Sequence, residues 1–136
     1  MQFKECYQNP FIEERADPYI TLGPDGFYYF TASYPMKSAD DKDGYDRVIL
    51  RRAKDISELA SAEEITIWKV ADTTLTHRFI WAPELHYIAG RWYVFYAGSE
   101  DKENNWAFDC HVLVCDSNDP YTGTWSEKGK FQKREE

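Results

Sequence analysis

Short runs of alternating hydrophobic and polar residues, separated by turn residues, fill most of the chain. In the first half these runs are YITL (19–22), FYYFTAS (27–33), DRVILRRA (46–53) and EITIWKV (64–70). Alternation with a period of two, bounded by Gly, Pro and Asp, is typical of β-strands. The pattern predicts four strands, and the turn GPDG at 23–26 joins the first two into a hairpin.

The segment between the third and fourth predicted strands has helical spacing instead. Ile56, Leu59 and Ala60 follow the i, i+3, i+4 pattern, and Asp55 and Glu58 are spaced as in a capping box. One or two helical turns are therefore predicted here.

The same plan recurs in the second half of the chain. WAPELHYIAGRWYVFYAGS (81–99) repeats the order of RADPYITLGPDGFYYFTAS (15–33), and VLVCD (112–116) and TWSEKGKF (124–131) supply two more strands. Matching Gly26 to Gly90 and Phe30 to Phe95 gives a period of 64 to 65 residues. Four short strands in each repeat predict an all-β fold. We expect two four-stranded antiparallel blades of a β-propeller, blade one at about 14–72 and blade two at about 78–132.

Composition narrows the classes of function. The chain has 136 residues, which is one domain's length, and its 24 acidic and 16 basic residues give a net charge of -8. A polyanion would be repelled, so nucleic acid is not an expected partner. No stretch approaches the ~20 apolar residues that span a bilayer. Because MQFKECYQNPF (1–11) lacks the basic and apolar regions of a signal peptide, the sequence predicts a cytoplasmic location without membrane contact.

Five motifs, in this order, carry a resemblance to a known family: ADPYI, DGFYYFTAS, YDRVILRRA, IWAPELHYIAGRWYVFYAGS and DPYTGTWSEKGKF. Together they resemble the N-terminal part of glycoside hydrolase family 43, most closely its α-L-arabinofuranosidase members, over nearly the whole chain. The resemblance implies a five-bladed propeller with a central active site and inverting hydrolysis of arabinose- or xylose-containing glycans. It also implies that this chain stops early, before the later blades.

The resemblance assigns a role to Asp17. An inverting glycosidase needs one carboxylate that activates water and a second, protonated carboxyl, roughly 6.5–9.5 Å apart. The family's general base is the Asp of the first strand of the first blade, and that motif position is Asp17. Pro18 removes a ladder donor beside it, which fits an edge strand. The alternative is that Asp17 only caps a turn, as most Asp-Pro pairs do.

Four further residues are candidates for substrate binding. Trp81 is expected to form a cavity wall, with a flat face for the sugar and an N–H that finds a polar partner. Glu84 is assigned the place in blade two that Asp17 has in blade one, either as a cavity residue or as a buried carboxylate satisfied by backbone N–H groups. Asp46 and Arg47 are either a surface ion pair or a pair in the substrate groove.

No cofactor and no metal site are expected. His77, His86 and His111 have no spacing typical of a metal trio, and are interpreted as strand or loop residues with satisfied ring nitrogens.

Two hypotheses of function follow. In the family the general acid and the carboxylate that tunes its pKa lie on later blades, so the first hypothesis is a hydrolase portion that is inactive alone and needs those blades. The second is a non-catalytic, self-associating module that binds a pentose-containing glycan. Both expect exposed apolar faces, covered in a homo-oligomer or by a complementing chain. A β-domain without any ligand is a third, simpler alternative.

Overall fold

The computed structural model describes residues 6–38, 40, 44–72, 78–100, 103 and 106–131, and these form two four-stranded sheets. The first sheet contains β1 (Ala16–Leu22), β2 (Tyr28–Ser33), β3 (Arg47–Ala53) and β4 (Ile65–Lys69). The second contains β5 (Arg78–Ile88), β6 (Arg91–Ser99), β7 (Phe108–Cys115) and β8 (Trp125–Lys130). Each strand pairs antiparallel with the next in the chain. The predicted fold class, two four-stranded blades that do not close a ring, is confirmed, while the predicted end of blade two, residue 132, lies outside the described residues.

Helix is confined to two single turns of 3₁₀ type within the described part of the chain. Ile56–Glu58 is one of them, and the Asp55 side chain caps it by accepting a hydrogen bond from the Ser57 N–H at 2.8 Å. The second turn, Val70–Asp72, was not predicted. In the described ranges, therefore, no helix is long and apolar enough to cross a membrane.

The two sheets pack face to face around one core. On β6, Trp92, Val94 and Tyr96 alternate with less buried neighbours, as a strand with one buried face requires. Tyr29 of the first sheet packs edge-on against Trp92, with ring centroids 5.1 Å apart. The other buried members of this core are Val48, Leu50, Trp68, Ile80, Leu85, Leu113, Cys115 and Trp125.

The two outer faces differ in how they are covered. On the first sheet, Phe30 and Ile49 are buried beneath Phe11 and Ile12, which precede β1. On the second sheet, an apolar surface lines an open cavity of about 350 Å³. We call this surface the open face, and it consists of Ile88, Tyr93, Phe95, Val112 and Phe131.

Both sheets contact the loop between β7 and β8. Arg52 Nη1 donates to Asp119 Oδ1 at 2.9 Å, and the same guanidinium lies 4.5 Å from the centre of the Tyr121 ring. Trp92 Nε1 donates to the backbone oxygen of Asn118 at 3.0 Å. These contacts lie at the opposite end of the sheets from the start of β1.

Candidate active site

Asp17 lies at the start of β1, where the strand is irregular. The β1–β2 register shifts between Ala16 and Tyr19, and Asp17 has a φ of 50°. Asp tolerates this left-handed conformation better than most residues. The irregularity takes Asp17 out of the ladder and leaves it exposed.

A chain of two hydrogen bonds connects Asp17 to the second sheet. Ser33 Oγ donates to Asp17 Oδ2 at 2.8 Å and accepts from the Ala82 backbone N–H at 2.7 Å. Ser33 is 0% exposed, so the middle of this connection is shielded from water, whereas its Asp17 end is exposed. Nothing in the sequence singled out Ser33, because a serine at the end of a strand is common and its two partners are 16 and 49 residues away.

The second sheet repeats the irregularity of β1. The β5–β6 register shifts between Trp81 and Glu84, and Ala82 has a φ of 47° and precedes a proline, as Asp17 does. The residue equivalent to Asp17 is therefore Ala82, and the prediction that Glu84 holds that place is wrong. The prediction aligned the two repeats on an acid, whereas what repeats is the backbone shape before the proline.

Glu84 lies two residues further along β5. Its side chain is 53% exposed, and its Oε2 lies 2.9 Å from His86 Nε2. A buried carboxylate satisfied by backbone N–H groups, one of the two alternatives, is therefore wrong. Glu84 instead lines an open cavity of about 380 Å³, together with Ala82 and Phe108. Contact of Glu84 with a substrate stays a prediction.

Trp81 belongs to a group of rings that we call the aromatic cluster: Tyr45, Phe79, Trp81, Trp106 and Phe108. Trp81 stacks on Phe108 with centroids 4.2 Å apart, and Trp106, at the edge of the cluster, is 78% exposed. The Trp81 Nε1 atom is buried and finds no hydrogen-bond partner in the described part of the chain. The expected polar partner is thus not provided by those residues, and an unsatisfied buried donor costs about 1–3 kcal/mol.

The backbone around the aromatic cluster is strained at several points. Tyr45, Phe79 and Ala82 have φ values of 53°, 57° and 47°. The Ile80 N–H donates to the Tyr45 backbone oxygen at 2.7 Å, which ties the first residues of β5 to the turn before β3. Conformations of this kind are held only where the surroundings enforce them, and they are concentrated at functional sites. The strain therefore marks the end of the molecule where Asp17 and Trp81 lie.

Asp46 and Arg47 form an ion pair. Arg47 Nε donates to one carboxylate oxygen of Asp46 at 2.7 Å and Arg47 Nη2 to the other at 3.0 Å. The Arg47 guanidinium lies 4.2 Å from the centre of the Tyr34 ring. The ion-pair interpretation fits this geometry, although both side chains are partly buried. A role in a substrate groove stays a prediction.

A second ionic group fixes the chain just before Asp17. Arg15 donates to both carboxylate oxygens of Glu64, and Arg51 Nε donates to Glu64 Oε2 at 3.0 Å. Burial alone would raise the pKa of Glu64, but the hydrogen bonds from the two arginines hold it below its ordinary value. The segment that leads into β1 is thereby anchored to β4.

His111 is the most buried of the histidines that the structure describes; His77 lies outside the described residues. It is 1% exposed, and its ring stacks on Tyr96 with centroids 5.3 Å apart. Its Nε2 lies 3.6 Å from Glu100 Oε1, and the Gly98 backbone also favours the protonated ring, although neither ring nitrogen meets strict hydrogen-bond geometry in the described ranges. Satisfied ring nitrogens stay a prediction for His111. Burial lowers the pKa of the His111 imidazole.

Comparison with known proteins gives matches over nearly the whole chain. The family described as glycosyl hydrolases family 43 matches residues 7–136. A Streptomyces chartreusis protein named extracellular exo-alpha-(1->5)-L-arabinofuranosidase is 43% identical over 126 residues, which is 93% of this chain and 36% of that protein. A Streptomyces avermitilis protein of the same name is 43% identical over 92% of this chain and 24% of its own length. The crystal structure of an alpha-L-arabinofuranosidase from Lactobacillus brevis is 38% identical with a TM-score of 0.76, covering 93% of this chain and 39% of that one.

The comparison corrects one prediction. The two Streptomyces relatives are named extracellular enzymes, so the predicted cytoplasmic location is wrong. That prediction rested on the composition of residues 1–11, which does not decide where a protein acts. The chain spans between 24% and 36% of the length of these two relatives.

Proposed function

Because the chain belongs to glycosyl hydrolases family 43, we propose that it carries the general base of an arabinofuranosidase-type inverting hydrolase, and that this base is Asp17. The observation that carries the proposal is the state of the Asp17 carboxylate. It is exposed at the start of β1, and its Oδ2 accepts a hydrogen bond from the buried Ser33. Within the described residues its Oδ1 has no such partner, which leaves this oxygen available for a water molecule.

In the proposed reaction, Asp17 takes a proton from the water whose oxygen bonds to the anomeric carbon. The glycosidic carbon–oxygen bond breaks on the opposite face of the sugar, and a second carboxyl protonates the leaving oxygen. We assign that acid to residues beyond this chain, in the length that the relatives have and this sequence does not cover. Since proton donation contributes about 10²–10⁴-fold, the 136-residue chain alone should have almost no activity.

Trp81 is the proposed wall of the sugar site. An indole ring offers a flat apolar face to the C–H side of a sugar, and Nε1, which has no hydrogen-bond partner among the described residues, would gain one from a sugar hydroxyl. We also propose that Glu84, in its open cavity, binds a sugar hydroxyl, and that the Asp46–Arg47 pair borders the substrate groove.

The names of the relatives support a substrate class. Two curated relatives are named for exo-acting cleavage of α-(1→5)-linked L-arabinofuranose, so we propose a terminal arabinofuranosyl unit of a pentose-containing glycan as the substrate. Following the same names, we propose that the reaction takes place outside the cell.

The open face supports a further proposal about assembly. An apolar surface of this kind is a liability in water, and proteins relieve it by covering it. We propose that further blades, a complementing chain or a second copy cover the open face. For the blades themselves, we propose that blade one extends over about 14–72 and blade two over about 78–132. If a second copy covers the open face, the chain alone is the self-associating, glycan-binding module of the alternative hypothesis.

A chimera tests the proposed function. In it, residues 7–136 replace the matched part of the Streptomyces chartreusis relative, 43% identical over this region. We expect the chimera to hydrolyse an aryl α-L-arabinofuranoside, with the β-anomer as the first product detected by NMR. The isolated chain should give no turnover. Turnover by the isolated chain, or the α-anomer as first product, would contradict the proposal. Glycan binding by the isolated chain together with an inactive chimera would favour the alternative, a non-catalytic binding module.

A further inference from the structure

Ser33 occupies a position with only one hydrogen-bonding solution. A hydroxyl group has one proton to donate and two lone pairs to accept with. The Ala82 backbone N–H can only donate, so Ser33 Oγ accepts there, at 2.7 Å. The single hydroxyl proton is then directed to Asp17 Oδ2, at 2.8 Å. The second sheet therefore determines which way the Ser33 hydroxyl points.

The backbone at Ala82 is arranged to make this donation possible. A regular strand would use the Ala82 N–H in the ladder, but the register shifts between Trp81 and Glu84 and Ala82 has a φ of 47°. A left-handed conformation at a residue with a side chain costs about 1–2 kcal/mol. The strain is thus accompanied by a specific contact across the two sheets, to a residue that is 0% exposed.

We propose that Ser33 is a positioning residue for the hydrolysis: it holds Asp17 Oδ2 so that Oδ1 faces the attacking water, and the Ala82 N–H holds Ser33. The inference rests on the proposed role of Asp17 as the base. It adds that the second blade takes part in orienting a base that belongs to the first, through one hydroxyl and one backbone N–H. Ser33 itself touches no reacting atom.

Two substitutions of Ser33 in the chimera test the inference. Ser33→Ala removes the hydroxyl, and we expect kcat to fall by about 10- to 100-fold, typical of the loss of one hydrogen bond to a charged group, with KM changed less than twofold. Ser33→Thr keeps the hydroxyl, and we expect it to recover most of the lost kcat.

Thr31 provides the matched control on the same strand. It is 1% exposed, and its Oγ1 donates to the Ile49 backbone oxygen at 2.7 Å, without contact to Asp17. Thr31→Val removes a hydroxyl that is equally buried but donates to a neutral backbone oxygen, and we expect kcat to stay within about twofold of the parent. A kcat in Ser33→Ala within twofold of the parent, or an equal loss in Thr31→Val, would overturn the inference.

A second measurement on the 136-residue chain is independent of activity. We expect the Ala82 amide proton to be protected from exchange in the parent and to exchange at least about tenfold faster in Ser33→Ala. Equal exchange in both would overturn the inference. Asp17→Asn in the chimera separates the two proposals: if it stays fully active, the assignment of the base is wrong, whereas if it is inactive and Ser33→Ala is normal, only the role of Ser33 is wrong.

Discussion

The bends before the prolines of β1 and β5 have almost the same backbone and carry different side chains. Asp17 and Ala82 have φ values of 50° and 47°, each lies at a register shift, and each precedes a proline. One carries an exposed carboxylate, and the other carries only a methyl group and uses its N–H to hold Ser33. The comparison teaches that both repeats bend the strand before the proline, that only β1 carries a carboxylate at this point, and that β5 contacts this carboxylate through Ser33.

The residues just before these two bends differ in packing, since β5 has Trp81 where β1 has Ala16. The two are register equivalents, since Trp81 pairs with Ala97 as Ala16 pairs with Ser33. Trp81→Ala makes the second bend resemble the first, and we expect the free energy of unfolding to fall by about 3 kcal/mol in urea titrations. The exposed Trp106→Ala is the control, with a change of at most about 0.5 kcal/mol. A loss below about 1 kcal/mol for Trp81→Ala would contradict the packing described for the aromatic cluster.

The two outer faces can be compared through self-association. Phe95 lies in the middle of the open face, and Phe131 stacks on it with centroids 6.1 Å apart. If a second copy covers this face, Phe95→Lys should weaken self-association. We expect the dissociation constant of the dimer of the isolated chain, measured by sedimentation equilibrium, to rise by about tenfold or more. Leu22→Lys changes an exposed apolar residue outside the open face and should leave association unaltered. A parent chain that is monomeric at high micromolar concentration would exclude self-association.

The two sheets should also respond differently to acid. The pKa of Glu64 in the first sheet is lowered, so its contribution to stability is present above the ordinary value of about 4.3 and is lost as pH falls through the lowered one. The pKa of His111 in the second sheet is lowered by burial, so the unfolded chain binds a proton first, at about pH 6.5. Stability should therefore begin to fall below about pH 6.5.

The variant His111→Phe shows how much of the loss of stability below about pH 6.5 is due to protonation of His111. Phe keeps an aromatic ring against Tyr96 and cannot be protonated. We expect the unfolding free energy of the variant to be level between about pH 6.5 and pH 5, where that of the parent declines, and to decline with the parent at lower pH, where Glu64 titrates. Parallel curves for parent and variant over the upper range would contradict the assignment to His111.

The smallest expected effect is that of Ala82→Gly, at the strained residue itself. Ala82→Gly removes the penalty of the left-handed conformation but adds freedom to the unfolded chain, so we expect the unfolding free energy to stay within about 1 kcal/mol of the parent. Ala82→Val places a β-branched side chain at a positive φ and should cost about 2 kcal/mol. Equal stability of the Gly and Val variants would show that the conformation at Ala82 is not strained.

The sequence predicted the elements well because their signals are local. Alternation and turn residues identified the strands of both sheets, and the recurrence of the plan predicted that the sheets contain four strands each. The 3₁₀ turn at Ile56–Glu58 was found from the spacing of apolar residues, and Asp55 caps it.

The site was harder to predict because its geometry depends on the backbone. Matching the two repeats by their carboxylates pairs Asp17 with Glu84. The backbone instead pairs Asp17 with Ala82, because each is the left-handed residue before a proline. Ser33 went unnoticed because its role depends on two contacts across the fold. The sequence does contain a signal for the correct pairing: Pro18 follows Asp17, and Pro83 follows Ala82. Aligning the repeats on these two prolines pairs Asp17 with Ala82.

The most direct test of the account is to neutralise the two candidate carboxylates one at a time in the chimera. Asp17→Asn in β1 and Glu84→Gln in β5 each remove one negative charge, and kcat is measured for both on one aryl α-L-arabinofuranoside. If Asp17 is the base, Asp17→Asn should lower kcat by about 10²–10⁴-fold, while Glu84→Gln should change it by less than about tenfold. Undiminished turnover in Asp17→Asn, or a larger loss in Glu84→Gln, would contradict the account.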